Sequence, residues 1–155
     1  MINNKFKVLL LLIFSYFLAG CVSSTMKNIE TVKQVDLPRF MGDWYVIAAI
    51  PTAIETQSYN AIENYKLNAD GTIATTFTFY KGAHNGPFKK YKPKGFVRPD
   101  TGNALWGMQF IWPIKAEYLI TYLDPEYQRT VIARNARDYV WIMARTPQIS
   151  DVEYK

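Results

Sequence analysis

In Leu37-Pro38-Arg39-Phe40-Met41-Gly42-Asp43-Trp44-Tyr45-Val46-Ile47-Ala48 a turn-forming segment with a proline and a glycine gives way to an aromatic and β-branched run. Such a run favours a half-buried strand, because broad and branched side chains cover a pleated surface well. The same pattern repeats outward from it, with strands expected over 43–51, 59–67, 72–80, 88–97, 104–111, 117–123, 129–135 and 139–146. The connections carry their own chemistry. Asn68-Ala69-Asp70-Gly71 and Asp100-Thr101-Gly102-Asn103 supply residues tolerant of positive φ, and Asp124-Pro125 opens a turn. Eight strands joined in sequence need no crossover helix, so an antiparallel meander is expected. Period two alone leaves a sandwich and a barrel both open.

With 155 residues there is room for one domain, and a 15% share of Trp, Tyr and Phe leans the chain towards an all-β core. Met1 to Lys7 carries two lysines, and an apolar run from Val8 to Leu18 follows, too short at about eleven residues to cross a bilayer permanently. Its end, Leu18-Ala19-Gly20-Cys21, resembles the lipobox of bacterial lipoproteins. That resemblance implies a signal peptide over 1–20, a lipidated Cys21 and a polar tether over 21–34, ahead of a barrel domain over 35–155. Cys21 is the sole cysteine, so an internal disulfide is excluded. Without Asp after the cysteine, the resemblance also implies the outer membrane of a Gram-negative bacterium. Removing Lys5 and Lys7 leaves 16 basic residues against 13 acidic ones. That weak excess, with no arginine cluster or basic helix, gives no reason to invoke nucleic acid.

Three motifs in order settle the architecture by resemblance. Gly42-x-Trp44, then Leu123-Asp124-Pro125-Glu126-Tyr127, then Asp138-Tyr139-Val140-Trp141-Ile142-Met143-Ala144-Arg145-Thr146-Pro147 are similar to the motifs of lipocalins, bacterial lipocalins and apolipoprotein D among them. The resemblance implies an eight-stranded antiparallel up-and-down barrel that binds a small hydrophobic molecule. Gly42, Trp44, Asp124, Tyr127 and Arg145 are then structural, with the Arg145 guanidinium over the Trp44 indole at the closed end, a contact that stabilises by about 0.5 to 2 kcal/mol. Relatives continue into a helix that packs on the barrel. Here the C-terminal helix is expected to be short or absent.

Alternation assigns an inward face. With Trp44 inward, Val46, Ala48 and Ile50 follow, and matching to relatives adds Tyr59, Ala61, Glu63, Tyr65, Trp106, Met108, Phe110, Tyr139, Trp141 and Met143 as ligand-facing residues. This aromatic, sulfur-bearing set suits a fatty acid or the acyl chain of a lysophospholipid. Glu63 stands out, because a carboxylate in such a cavity must be paired, hydrated or protonated. It could meet a cationic head group or a ligand hydroxyl. Lys89, Lys90, Lys92 and Lys94 form a basic stretch, read as a solvated hairpin with some attraction for phosphate head groups. No G-x-S-x-G elbow occurs, and the single histidine, His84, lies in a glycine-flanked turn. The expectation is therefore a binding protein with no metal, no cofactor and no catalytic residue. A lipid-acting enzyme using Glu63, or an interaction protein with a closed interior, stays as the alternative. Ligand identity stays open, as does oligomeric state, with a homodimer among the outcomes.

Overall fold

The structure is a computed structural model that describes residues 27–154. Cys21 and the segment 1–20 lie outside the described residues. Nine strand segments follow one another: β1 (Gly42–Ile50), β2 (Ser58–Leu67), β3 (Thr72–Lys81), β4 (Phe88–Tyr91), β5 (Lys94–Val97), β6 (Leu105–Ile111), β7 (Ile114–Leu123), β8 (Arg129–Ala133) and β9 (Val140–Ala144). Each pairs antiparallel with its neighbours, β9 returns to β1, and β2 pairs with β3, so the sheet closes on itself. The segments β4 and β5 are one strand interrupted at Lys92-Pro93. Proline has no N–H to donate, yet its carbonyl still accepts from Thr75 N at 3.1 Å and keeps the strand against β3. The closed barrel therefore has eight strands, the architecture expected from the sequence.

One end of the barrel is a floor. Asp36 caps a one-turn helix, α1 (Leu37–Phe40), by accepting from Arg39 N at 3.2 Å. The turn drives Phe40, fully buried, up into the barrel against Trp44, Tyr65 and Trp106. Trp106 in turn stacks on Tyr118, with ring centroids 5.2 Å apart. Val35, Ile73, Ile120, Ile132 and Met143 complete this lower core. Each large side chain taken out of water here is worth about 2 to 3 kcal/mol.

Arg145 seals the floor. Its guanidinium carbon lies 3.9 Å from the Trp44 ring centroid. Nη1 donates to the Asp43 carbonyl at 2.7 Å, Nη2 to the carbonyls of Arg39 and Phe40, and Nε to that of Tyr127. Trp44 Nε1 donates to the Phe40 carbonyl as well, at 2.8 Å. Gly42 has φ +93°, and a Cβ there would stand 3.4 Å from Arg145 Nη1, so a side chain would be both strained and crowding. Buried Asp124 accepts from the backbone N–H groups of Gln128 and Arg129 and pairs with the Arg129 guanidinium. This fixes the turn from which the Tyr127 carbonyl reaches Arg145.

Before the floor, the chain runs along the outside of the barrel. Arg137 donates to the Lys27 carbonyl, Ile29 N donates to Asn135, Val32 N to the Ile120 carbonyl and Val35 N to the Gly102 carbonyl. The strap thus descends from the β8–β9 turn, at the open end, to the floor. After β9 the chain ends its described part in a single helical turn, α2 (Asp151–Tyr154).

Candidate functional site

The upper half of the barrel is divided. On the β2–β4 side, Ala61, Phe77 and Phe79 pack together beneath Tyr91, which stacks on Phe79 at a centroid separation of 6.0 Å. On the other side a cavity of about 250 Å³ opens to the mouth. Met108, Phe110, Ala116, Tyr139 and Trp141 give it apolar walls, and Ala53 and Ile54 from the β1–β2 segment lean over it. Small-molecule sites usually hold about 300 Å³ or more, so the space fits one slim chain rather than a broad ring system.

Its base is polar. Glu63 is buried, and the Tyr65 hydroxyl donates to its Oε2. Tyr65 has then spent its proton, so the Tyr118 hydroxyl, 2.7 Å away, donates to Tyr65. Burial pushes the Glu63 carboxyl up to about 7, against the lowering effect of the Tyr65 hydrogen bond and with a further raising effect from the Glu55 charge. The same burial raises both tyrosines well above their ordinary range, so they remain neutral donors. The base is thus a carboxyl that changes charge near neutrality, set in an apolar wall.

Glu55 closes the rim. It is buried, accepts from Trp141 Nε1 at 3.0 Å and from Thr52 N at 2.8 Å, and so ties the 51–57 segment to β9. Arg134 also reaches the rim, where it pairs with Asp138 at 3.2 Å and lies over the Tyr139 ring.

Of the residues expected to face inward, Ala61, Glu63, Tyr65, Trp106, Met108 and Met143 are buried, and Val46 packs against both core clusters. Glu63, Met108, Phe110, Tyr139 and Trp141 line the cavity, whereas Tyr65 and Trp106 belong to the core beneath it. Three expectations are corrected. In β1 the register against β9 slips between Val46 and Ala48, which makes Ile47 an extra residue. After this bulge Ala49, not Ala48, stands opposite Trp141, and directly opposed residues share a face. Ala48 and Ile50 therefore turn outward, and Ile50 is 53% exposed. In β2 a second slip lies between Tyr59 and Ile62, with Asn60 at φ +50°. It turns Tyr59 outward, where its ring meets the edge of His84.

The sequence reading missed Thr52, Ala53, Ile54 and Glu55, which lie in what reads as a loop. It also missed Ala116, Tyr118 and Arg134. Tyr118 carried a usable signal, since it alternates in phase with buried Ile120 on β7.

The family described as lipocalin-like domain matches residues 35–155. Temperature-induced lipocalin-1 of Arabidopsis thaliana is 31% identical over 137 residues, covering 83% of this chain and 73% of that protein. Outer membrane lipoprotein Blc of Citrobacter freundii is 30% identical over 138 residues, covering 88% and 77% respectively. Among solved structures, insecticyanin from the tobacco hornworm Manduca sexta superposes with a TM-score of 0.66 at 17% identity, over 83% of this chain and 72% of that one. A barrel closed by Trp44 and Arg145 and hollow at the other end, matched along nearly its whole length, belongs to the lipocalin-like family, whose members bind small hydrophobic ligands.

Proposed function

We propose that this protein binds a single-chain lipid, a fatty acid or a lysophospholipid, in the mouth cavity and holds it in the envelope of a Gram-negative bacterium, anchored to the outer membrane through acylated Cys21. The reading is a carrier or store rather than an enzyme. One observation carries it: a narrow apolar cavity ends on the Glu63–Tyr65–Tyr118 cluster. Phe110, Met108 and Trp141 offer an acyl chain the contacts that exclude water. Glu63 accepts a cationic or hydroxyl group when ionised and tolerates apolar matter when protonated. The similarity to Blc lipoproteins supports the envelope setting, and the lipobox-like Leu18-Ala19-Gly20-Cys21 supports the anchor.

The test is calorimetric titration of palmitate and lysophosphatidylcholine against the wild type, Glu63→Gln and Glu63→Ala at pH 8. Glu63→Gln should weaken lysophosphatidylcholine about tenfold, since loss of a charge-assisted contact costs roughly 1.5 kcal/mol or more, while palmitate changes less. Glu63→Ala should favour palmitate, because no carboxylate remains to repel it. Equal affinities for both lipids across all three proteins would show that Glu63 does not meet the ligand.

A further inference from the structure

Large apolar side chains are not exposed evenly over this barrel. Ile111 is 72% exposed, Trp112 83% and Ile114 68%, all in the tight β6–β7 hairpin that stands at the mouth beside cavity-lining Phe110. Phe88, 58% exposed, and Ile54, 38% exposed, belong to the same end. Among the described residues nothing covers this projecting apolar edge, and such a patch marks an interaction site.

Two observations choose the occupant. The first is charge. Between Gly71 and Ala116 the one acidic residue is Asp100, in the β5–β6 turn at the floor end. The same stretch brings Lys89, Lys90 and Lys92 to the surface on the mouth side, all exposed. An apolar tip flanked by exposed lysines, with the rim carboxylates Glu55 and Asp138 held by Trp141 and Arg134, matches an anionic lipid surface, where each lysine near the head groups contributes about 1 kcal/mol, and tryptophan suits the interface itself. The second is the strap. Lys27 is held by Arg137 in the β8–β9 turn, at the mouth. Cys21 precedes Lys27 by six residues, which span about 20 Å at most, less than the roughly 33 Å of the ten-residue strands that connect mouth to floor. An anchor on Cys21 therefore holds the mouth, not the floor, at the bilayer.

We infer that the barrel docks mouth-down on an anionic membrane, with Ile111, Trp112 and Ile114 inserted among the head groups and the flanking lysines on lipid phosphates. The cavity then opens onto the bilayer, and a lipid passes between them without crossing bulk water. The strap argument rests on the Cys21 anchor proposed above, whereas the tip and its charge do not.

The test separates the two. Because the barrel closes on itself within residues 27–154, the 27–155 chain is a folding unit and needs no anchor. It is mixed with vesicles of phosphatidylethanolamine containing a quarter phosphatidylglycerol, and with vesicles of phosphatidylcholine alone. Expected is sedimentation with the anionic vesicles and a blue shift of the Trp112 emission, obtained as the difference from the Trp112→Phe variant. The triple variant Ile111→Ser, Trp112→Ser, Ile114→Ser should lose partition about 100-fold at an unchanged Tm. Replacing Lys89, Lys90 and Lys92 with Gln should cost about tenfold or more on anionic vesicles alone. Equal partition of the wild type and the triple variant would overturn the inference, as would absence of the wild type from both vesicles. Tip-dependent self-association without vesicle uptake would assign the patch to a second copy of the chain and would overturn it too. The anchor fails separately, if the mass of the full-length protein from membranes shows an unmodified Cys21.

Discussion

The two ends of this barrel use the same kinds of residue for opposite purposes. At the floor, Arg145 and Trp44 are locked to each other and to four backbone carbonyls, so each polar group has a partner and each ring is covered. At the mouth, Trp141 and Arg134 edge a cavity, Trp112 stands in water, and Glu63 is buried with a charge that depends on pH. The register is regular near the floor in β1, β2 and β6 and slips in the upper part of all three, while β7 slips once near the floor, between Ile120 and Tyr122. Closure demands complementary geometry at one end. The other end can relinquish ladder bonds and apolar cover, which is where a binding protein needs freedom.

The largest expected effect breaks the floor. Arg145→Ala removes a cation from the Trp44 face and leaves the carbonyls of Asp43, Arg39, Phe40 and Tyr127 without their donor. Hydrogen bonds to a charged donor are worth about 1.5 to 3 kcal/mol each when buried, but this guanidinium is half-buried, so the loss should be about 4 kcal/mol in all. For a chain of this size that is a fall of about 10 °C in Tm. Lipid affinity, measured at a temperature where the variant is folded, should stay within about twofold. An unchanged Tm with collapsed affinity would show that the floor and the cavity are not separate devices.

Somewhat smaller is the effect of pH on the mouth. Glu63 has its carboxyl raised from 4.5 to about 7 in the folded state. A raised pKa means that the folded state holds the proton more tightly than the unfolded one. The associated stability is therefore complete below about pH 4.5 and is lost as pH rises to 7. Over that window the loss is about 3 kcal/mol. Glu63→Gln stays neutral, so its Tm should exceed that of the wild type at pH 8 and match it at pH 4.5. Parallel pH profiles for the two proteins would show a Glu63 that is hydrated rather than desolvated.

What the sequence revealed follows the same division. The strand succession, the turns at Asp70-Gly71 and Asp124-Pro125 and the pairing of Trp44 with Arg145 all rest on local chemistry or on motifs of fixed spacing, and the floor is built from these. The mouth depends on register. A single extra residue at Ile47, and another beside Asn60, reverses the face of everything beyond it. Ile47 is not a residue type that announces a bulge, whereas Asn60, at φ +50°, is one that tolerates the left-handed region and was a signal left unused. The 51–57 segment was opaque for a different reason. Pro51-Thr52-Ala53-Ile54-Glu55 reads as a loop, and only folding shows that Glu55 turns back to meet Trp141. The strand expected over 88–97 took no account of Pro93, which divides it into β4 and β5 while its carbonyl keeps the two in one line.

The smallest expected effect sharpens that boundary, because it asks whether the face reverses at the bulge. If alternation continued unbroken from Trp44, Ile50 would point into the interior, and Ile50→Ser would put a hydroxyl against a bound chain and remove apolar wall. With the bulge at Ile47, Ile50 lies opposite Val140 on the outer face and is already 53% exposed. Its replacement by Ser then removes little buried surface, and stability should change by less than about 0.5 kcal/mol. Trp141 supplies the contrast on the other side of the same ladder. It stands opposite Ala49, lines the cavity and donates to Glu55, so Trp141→Ala should lower palmitate affinity about tenfold or more through lost contact area. Titration of both variants with palmitate reads the two faces of one strand pair. Loss of affinity in Ile50→Ser comparable to that in Trp141→Ala would mean that the bulge does not reverse the face in solution and that Ile50 belongs to the cavity.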